Sequence, residues 1–419
     1  MLNKIENIQS EIILYTLEEL VPKESLYRKI DKYIDFTFIY DKVQNLYCSN
    51  NGRKSVDPVV LFKLVFIQAI DGLKSMRKTC EKIKVDLEYR WFLGIPLGQE
   101  TPHYSTFSQN YIRRFAGTNI FEEIFVEIVE QAIRHGLVKG ETFFTDSTHK
   151  KANANKNKYH REIVKEVKKR REWLEEEINQ ERRKQGKKEF IYKDEIEEKE
   201  IKVSDTDKES GYYHRDNKEK GFMYLDHRTV DSKSNIIVDC HITKGNVHDS
   251  GPYIERLEYI KNKYGFKIKE VGIDSGYNTL DIKKYLHDNE IYGVIAYRRY
   301  AKAETTVRKN RFKYIKESDK YVCPETGAIL EYTGRIDRNG YKYYSDKKNC
   351  SNCPERQGCC NKKEYRTITR HICEELNEEM RERRLSERGK KLYKQRKEKV
   401  ERSFADSKNN HGYRYAMYK

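Results

Sequence analysis

Two short apolar runs, each stopped by an aspartate, most constrain the fold of this 419-residue chain. Glu141 to Thr145 reads as a strand ending in Asp146, and Lys267 to Ile273 as a second ending in Asp274. Active sites of open α/β sheets gather at strand ends and in the adjoining loops. Two carboxylates brought together there repel each other unless a cation lies between them.

The residues around these runs predict a mixed sheet. GFMYLDHRTVD, the turn SKSN and IIVDCHIT read as a β-hairpin. HDSGPYIERLEYIKNKYG reads as a helix with Asp249 or Ser250 as cap, Pro252 in its first turn and Gly265 at its end. LDIKKYLHD is a further helix and IYGVIAY a further strand. The order strand, strand, strand, helix, strand, helix, strand is that of an α/β domain. Ahead of it, Glu11 to Arg134 is mostly helical, as in DPVVLFKLVFIQAI and FEEIFVEIVEQAI. After Asp146 a basic, polar run leads into a segment where helical periodicity resumes from about Arg161. There Ile163, Val167, Leu174 and Ile178 form a narrow apolar stripe, expected on an exposed helix or half of a helical hairpin. Residues 298–370 are rich in Tyr, Lys and Cys with hairpin-like patches, and Cys373 to about Lys408 is helical.

Charge narrows the class of partner. The net charge is +17 with an isoelectric point near 9.2, and the stretch from Arg381 to Lys419 holds 14 basic against 5 acidic side chains. Such a concentrated field attracts polyanions, nucleic acid above all. The amino terminus mixes Lys and Glu into its apolar pattern and lacks the apolar core of a signal peptide. VVLFKLVFIQAI is interrupted by Lys63 and Gln68 and is too short to span a bilayer. A cytoplasmic, nucleoid-associated protein with no membrane partner is expected.

A third acid comes from the carboxy-terminal helix, where Leu392, Val400 and Phe404 make the buried stripe. Glu401 has Lys397 one turn before it and Lys408 two turns after it on nearly the same face. Each acid alone has an ordinary alternative: a turn or cap for the aspartates, an i, i+4 ion pair with Lys397 for Glu401. Five of the nine cysteines fall between Cys323 and Cys360. Cys350 and Cys353 have the spacing with which two thiolates grip one Zn²⁺, and Cys323 with Cys359 would complete a four-cysteine site. Cys360 competes with Cys359 for the last place. Cys48, Cys80, Cys240 and Cys373 read as packing residues, as do His227 and His241. Asp249 is expected to cap the helix after it.

These stretches carry a resemblance. TDST at the first acid, TKGNVHDS, DSGYN at the second, and Tyr393, Arg396, Glu401 and Lys408 at the third resemble the DDE transposases of bacterial insertion sequences. GRKSVDPVVLFK, WFLG and HYSTFS are similar to the amino-terminal domain of the same transposases. The resemblance implies a ribonuclease H-like catalytic core in which Asp146, Asp274 and Glu401 bind two Mg²⁺ or Mn²⁺ ions. It also implies DNA-phosphate contacts from Arg396 and Lys408, with Lys397 competing with Arg396 for the place beside Glu401. Lys150 and Lys151 are further candidates for phosphate contact.

The organisation that follows has a helical domain at 1–135 for DNA binding or dimerisation and a first part of the core at 136–300, with a charged helical insertion at about 156–221. A Cys-rich β insertion occupies 301–372, where Zn²⁺ is the candidate cofactor, and 373–419 completes the core. The expected activity is cleavage and strand transfer at terminal inverted repeats of double-stranded DNA, by a homodimer. The alternatives are a metal-dependent nuclease or resolvase and a noncatalytic DNA-binding repressor. The repressor is motivated by a chain that ends at Lys419, soon after Glu401.

Overall fold

The computed structural model describes residues 14–48, 52, 54–215, 219–297, 307–360 and 364–416. The start of the expected helical domain, before Leu14, and the 298–306 boundary of the Cys-rich segment lie outside that description.

Among the described residues, eight α-helices come first: α1 (Leu17–Leu20), α2 (Leu26–Tyr33), α3 (Phe38–Val43), α4 (Pro58–Ile70), α5 (Met76–Val85), α6 (Leu87–Leu93), α7 (Ser105–Asn110) and α8 (Ile120–Arg134). Their boundaries follow local chemistry. Asp57 accepts from the amides of Val59 and Val60, with Pro58 in the first turn of α4, where its missing N–H costs nothing. Asp86 caps α6, and Gly94 ends it in the left-handed conformation. Ile39, Leu61, Leu64, Ile67, Ile83 and Phe92 make the centre of a helical core.

The main sheet is built from β1 (Thr142–Lys151), β4 (Gly211–Tyr213), β5 (Gly221–Asp231), β6 (Ile237–Lys244), β7 (Glu270–Ile273) and β8 (Tyr292–Ile295). Between β1 and β4 lies a separate ribbon of β2 (Tyr159–Val167) and β3 (Ile196–Ser204). In the main sheet β5 is antiparallel to β1, β6 and β4, whereas β7 is parallel to β1 and β8 to β7. The order β6-β5-β1-β7-β8 places the third, second, first, fourth and fifth core strands side by side. This is the ribonuclease H-like arrangement.

Helices cover both faces. On one, α10 (Tyr253–Tyr264) and α11 (Leu280–Asp288) pack with α8 against Phe143, Val238, Val271 and Ile273. On the other, the carboxy-terminal helices pack Leu392, Val400 and Phe404 against Phe144, Val230 and Val294. Alternation along β1 makes this possible: Phe144, Asp146 and Thr148 share the carboxy-terminal-helix face, while Phe143, Thr145 and Ser147 point the other way.

Three expectations change in detail. Strand β1 does not stop at Asp146. Only its parallel pairing with β7 ends there, at Thr145 and Ile273, and antiparallel pairing with β5 carries it to Lys151. The helix expected from Arg161 begins at Glu172 as α9 (Glu172–Lys184); before it runs β2, with Ile163 and Val167 exposed. The strand wins because β3 pairs with it along its whole length, with Val167 opposite Ile196 and with Arg161–Glu200 and Lys165–Glu198 ion pairs across the ribbon. Finally, α10 has no side-chain cap, and Asp249 accepts from Ser147 Oγ at 2.6 Å instead.

The Cys-rich segment is a five-stranded antiparallel sheet of β9 (Lys313–Ile315), β10 (Lys320–Val322), β11 (Ile329–Ile336), β12 (Tyr341–Ser345) and β13 (Thr367–His371). Two short helices, α12 (Lys347–Ser351) and α13 (Arg356–Cys360), lie between β12 and β13. The carboxy-terminal helix is broken into α14 (Glu374–Leu385) and α15 (Glu387–Arg396), a π-helical turn at Lys397–Glu401, and α16 (Arg402–Asn410). Ser386 adopts extended backbone and caps α15 through the Gly389 amide. A Cβ at Gly389 would collide with the Arg383 carbonyl. Gly389→Ala is therefore expected to destabilise the protein by about 1–3 kcal/mol in urea unfolding, and an unchanged midpoint would remove the steric account of this corner.

Candidate active site

The sheet brings two of the three sequence-predicted acids side by side. Thr145 pairs with Ile273 across the parallel β1–β7 ladder, so Asp146 and Asp274 stand one residue further on, level with each other. Asp274 is anchored by accepting the Gly276 amide at 2.5 Å. Asp146 is half-buried opposite Arg228 of β5.

Glu401 reaches the pair through one guanidinium. Arg396 Nη2 lies 2.6 Å from Asp146 Oδ2, and its Nη1 lies 2.6 Å from Glu401 Oε1. This geometry depends on the π-helical turn. An α-helix would place Lys397 one turn before Glu401, but a π turn closes on the fifth residue and brings Arg396 onto that face. Lys397 is exposed and Arg396 is buried, so of the two competing residues it is Arg396 that stands beside Glu401. Lys408, from α16, donates to Thr148 Oγ1 on β1, two residues beyond Asp146 on the same face.

Among the described residues, no group of three or more His, Cys, Asp or Glu side chains is arranged to hold a metal ion. At the acids the cause is visible: a guanidinium, a fixed positive charge, stands between Asp146 and Glu401. The donor set itself, three carboxylates and no thiolate or imidazole, is what a hard divalent cation prefers. The residues present fit Mg²⁺ or Mn²⁺ once Arg396 turns aside.

Cys323, Cys350, Cys353, Cys359 and Cys360 line one small cleft beside Arg356 and Arg366. All five are free thiols. Burial pushes Cys359 up to about 11, with Cys360 and Cys323 adding to the rise. The tetrahedral spacing that Zn²⁺ requires is absent as these thiols stand. Among the cysteines read as packing residues, Cys80 and Cys373 are buried, while Cys48 is exposed. His227 donates to or accepts from Thr243, and burial pushes its imidazole down to about 4.

Sequence reasoning missed Asp226 and Arg228. Both are buried in β5, 2.8 Å apart, on the face that the carboxy-terminal helix covers. The available signal was two opposite charges at i, i+2 in a strand flanked by apolar residues.

The acids make an electrostatic prediction. Burial pushes the Asp146 carboxyl up to about 6; Asp274 and Glu401 add to the rise, and Arg396 and the Ser147 amide oppose it. An aspartate in an unfolded chain titrates near ~3.9. Between those values the folded protein holds a proton that the unfolded chain has released. This group therefore favours folding below about pH 4, and its contribution is lost as pH rises through about 6. In chelating buffer, the unfolding free energy of the wild type relative to Asp146→Asn should fall by about 2–3 kcal/mol from pH 4 to pH 7; a flat difference would contradict the raised value.

Two stretches of the chain match known protein domains. Residues 15–113 match a transposase domain, DUF772, and residues 322–419 match a transposase DDE domain. No curated protein matches the chain. A cryo-EM structure of piggyBac transposase, a synaptic complex with hairpin DNA, is similar at 11% identity and a TM-score of 0.27, over 76% of this chain. The chain spans 56% of that protein's length. The chain is thus similar to transposases at both ends of its sequence, over residues 15–113 and 322–419.

Proposed function

We propose that this protein is a DDE transposase that binds the terminal inverted repeats of its element and performs DNA strand cleavage and strand transfer at Asp146, Asp274 and Glu401. The observation that carries this reading is the meeting of Asp146 and Asp274 on neighbouring parallel strands, with Glu401 tied to Asp146 through Arg396. In the first step water attacks a backbone phosphorus, the P–O3′ bond breaks, and a 3′-hydroxyl is released at the element's end. In the second that hydroxyl attacks a phosphorus of target DNA, joining the element's 3′ end to it, while the target's own P–O3′ bond breaks and a target 3′-hydroxyl leaves. When bound, two Mg²⁺ or Mn²⁺ ions supply activation of the attacking oxygen and stabilisation of the leaving one.

The chain's own residues divide the remaining work. Asp146 and Asp274 provide carboxylate oxygens from the rigid sheet, and Glu401 provides a third from the helix. Arg396 balances the acids in the metal-free protein and turns to a DNA phosphate as they are engaged. Lys408, held at Thr148, supplies a second cation on the same side; Lys397 is exposed, Lys150 lies over the Tyr413 ring and Lys151 pairs with Glu219. Phosphate contacts of this kind set register and carry a strong salt dependence.

The amino-terminal helices bind DNA or hold a homodimer together, and Cys323, Cys350, Cys353 and Cys359, which line one cleft, would hold a Zn²⁺ ion only after closing together to tetrahedral spacing. Among the described residues no helix is long and apolar enough to cross a membrane. The cytoplasm, where the nucleoid lies, is the compartment that fits such a substrate.

Incubation with a labelled repeat end, a target plasmid and Mg²⁺ tests the activity. Joined product supports transposition, cleavage without joining indicates a nuclease or resolvase, and binding alone indicates a repressor. Asp146→Asn, Asp274→Asn and Glu401→Gln should each lower cleavage by about 100-fold or more while leaving DNA affinity within about threefold. Cleavage at the wild-type rate would remove that residue from the site. Zinc content measured on purified protein should fall in Cys350→Ser; equal zinc in both proteins would rule out the four-cysteine site.

A further inference from the structure

The buried Asp226–Arg228 pair lies outside the reacting groups, yet it touches the element that carries two of them. Arg228 Nε donates to Asp226 Oδ2 at 2.8 Å, and both side chains are almost wholly buried. Arg228 Nη1 faces α16, at 3.1 Å from Ser403 Oγ, 2.7 Å from Ser407 Oγ and 3.3 Å from the Ser403 carbonyl. The guanidinium lies over the rings of Phe404 and Tyr413, at 4.6 and 4.9 Å. Its position on the sheet is directly across from Asp146.

We infer that Arg228 is a positioning residue, which locks the register of the carboxy-terminal helix so that Glu401 and Lys408 meet the Asp146 strand. This inference rests on the strand-transfer reading above. Its physical basis is the difference between directional and nondirectional contacts. Val400 and Phe404 hold the helix to the sheet by apolar contact, which tolerates sliding and rotation. A π turn immediately before α16 makes such slippage a specific hazard, because closing it to an α turn shifts every later residue by one position. A one-residue shift rotates a helix by about 100° and would carry both serine hydroxyls off Arg228. Buried ion pairs add little net stability over apolar packing, and their best-attested use is to fix register.

The geometry also explains the choice of partners. Ser403 and Ser407 are one α turn apart on one face, with Glu401 two residues before the first and Lys408 one after the second. By holding both serines a single guanidinium fixes the rotation of the helix, and with it the directions in which Glu401 and Lys408 point. Arg396 grips the other side of the π turn through Glu401 and Asp146, so the turn lies between two arginine clamps.

The test uses the full-length protein and leaves the buried ion pair intact. Ser403→Ala with Ser407→Ala removes both hydroxyl partners from a helix that tolerates alanine. The double variant should lower kcat for cleavage of a repeat end by about 10- to 100-fold with KM for DNA within about twofold, since misplacement on the ångström scale acts on the chemical step. Amides of residues 397–410 should exchange hydrogen faster, while those of β1 and β7 stay unchanged. Ser403→Thr with Ser407→Thr keeps both hydroxyls and should restore most of the rate and the slow exchange. Wild-type cleavage together with wild-type exchange in the alanine pair, or a threonine pair as impaired as the alanine pair, would overturn the assignment. If the wild type itself does not cleave, the strand-transfer reading fails, and the exchange comparison still decides whether Arg228 locks the helix.

Discussion

Carboxylates at the end of a sheet repel one another, and most of what is unusual in this molecule sits around the charge that relieves that repulsion. Arg396 lies 2.6 Å from both Asp146 and Glu401 and is itself buried. Three carboxylates sharing one guanidinium leave a net negative centre. The pull of Arg396 is outweighed by burial and by the neighbouring acids, which is why Asp146 sits near 6 rather than low in the carboxylate range.

The surrounding fold serves that centre by holding the helix that brings Glu401. Apolar contact from Leu392, Val400 and Phe404 supplies the area, and two arginines supply the direction. A π turn between them converts a five-residue spacing into a shared face. The small residues nearby serve the same end. Gly272 of β7 lies against the Phe144 ring, where a Cβ would stand 2.8 Å from two ring carbons. Phe144 can then lie flat between β7 and Leu392, directly beneath the acids.

How much of this was legible depended on how local each cause was. The succession of strands and helices along the core, the hairpin of β5 and β6, and the helices α4 and α8 follow from short-range patterns, and the sequence reading anticipates them. Asp146 and Asp274 were visible as acids after apolar runs. What was not visible is that β1 continues past Asp146 to Lys151, because its partner there is β5, which follows only after the β2–β3 ribbon and α9. Ile163 and Val167 gave a helical stripe only because β3, which pairs with them, lies beyond α9. The Arg396–Glu401 contact is unreadable from the ordinary α-helical period, and Arg228 has no apparent purpose until a helix 175 residues further on is placed against it. Patterns over one or two turns report secondary structure; interactions that set chemistry are long-range.

The distribution of charge completes the picture. The net +17 is not spread evenly. In the β2–β3 ribbon and α9, cations are matched locally, as in Arg161–Glu200, Lys165–Glu198, Lys199–Glu166 and Arg183–Glu176, so these segments are highly charged yet nearly neutral. The stretch from Arg381 to Lys419 instead carries an excess of nine positive charges, and it includes Glu401. Long-range attraction of a polyanion and the third acid are thereby carried by one stretch of chain. Salt screens the first over about 10 Å at 0.1 M, while the buried contacts of Arg396 and Arg228 are much less exposed to it. Ionic strength therefore acts on encounter with a polyanion far more than on the geometry that holds the three acids together.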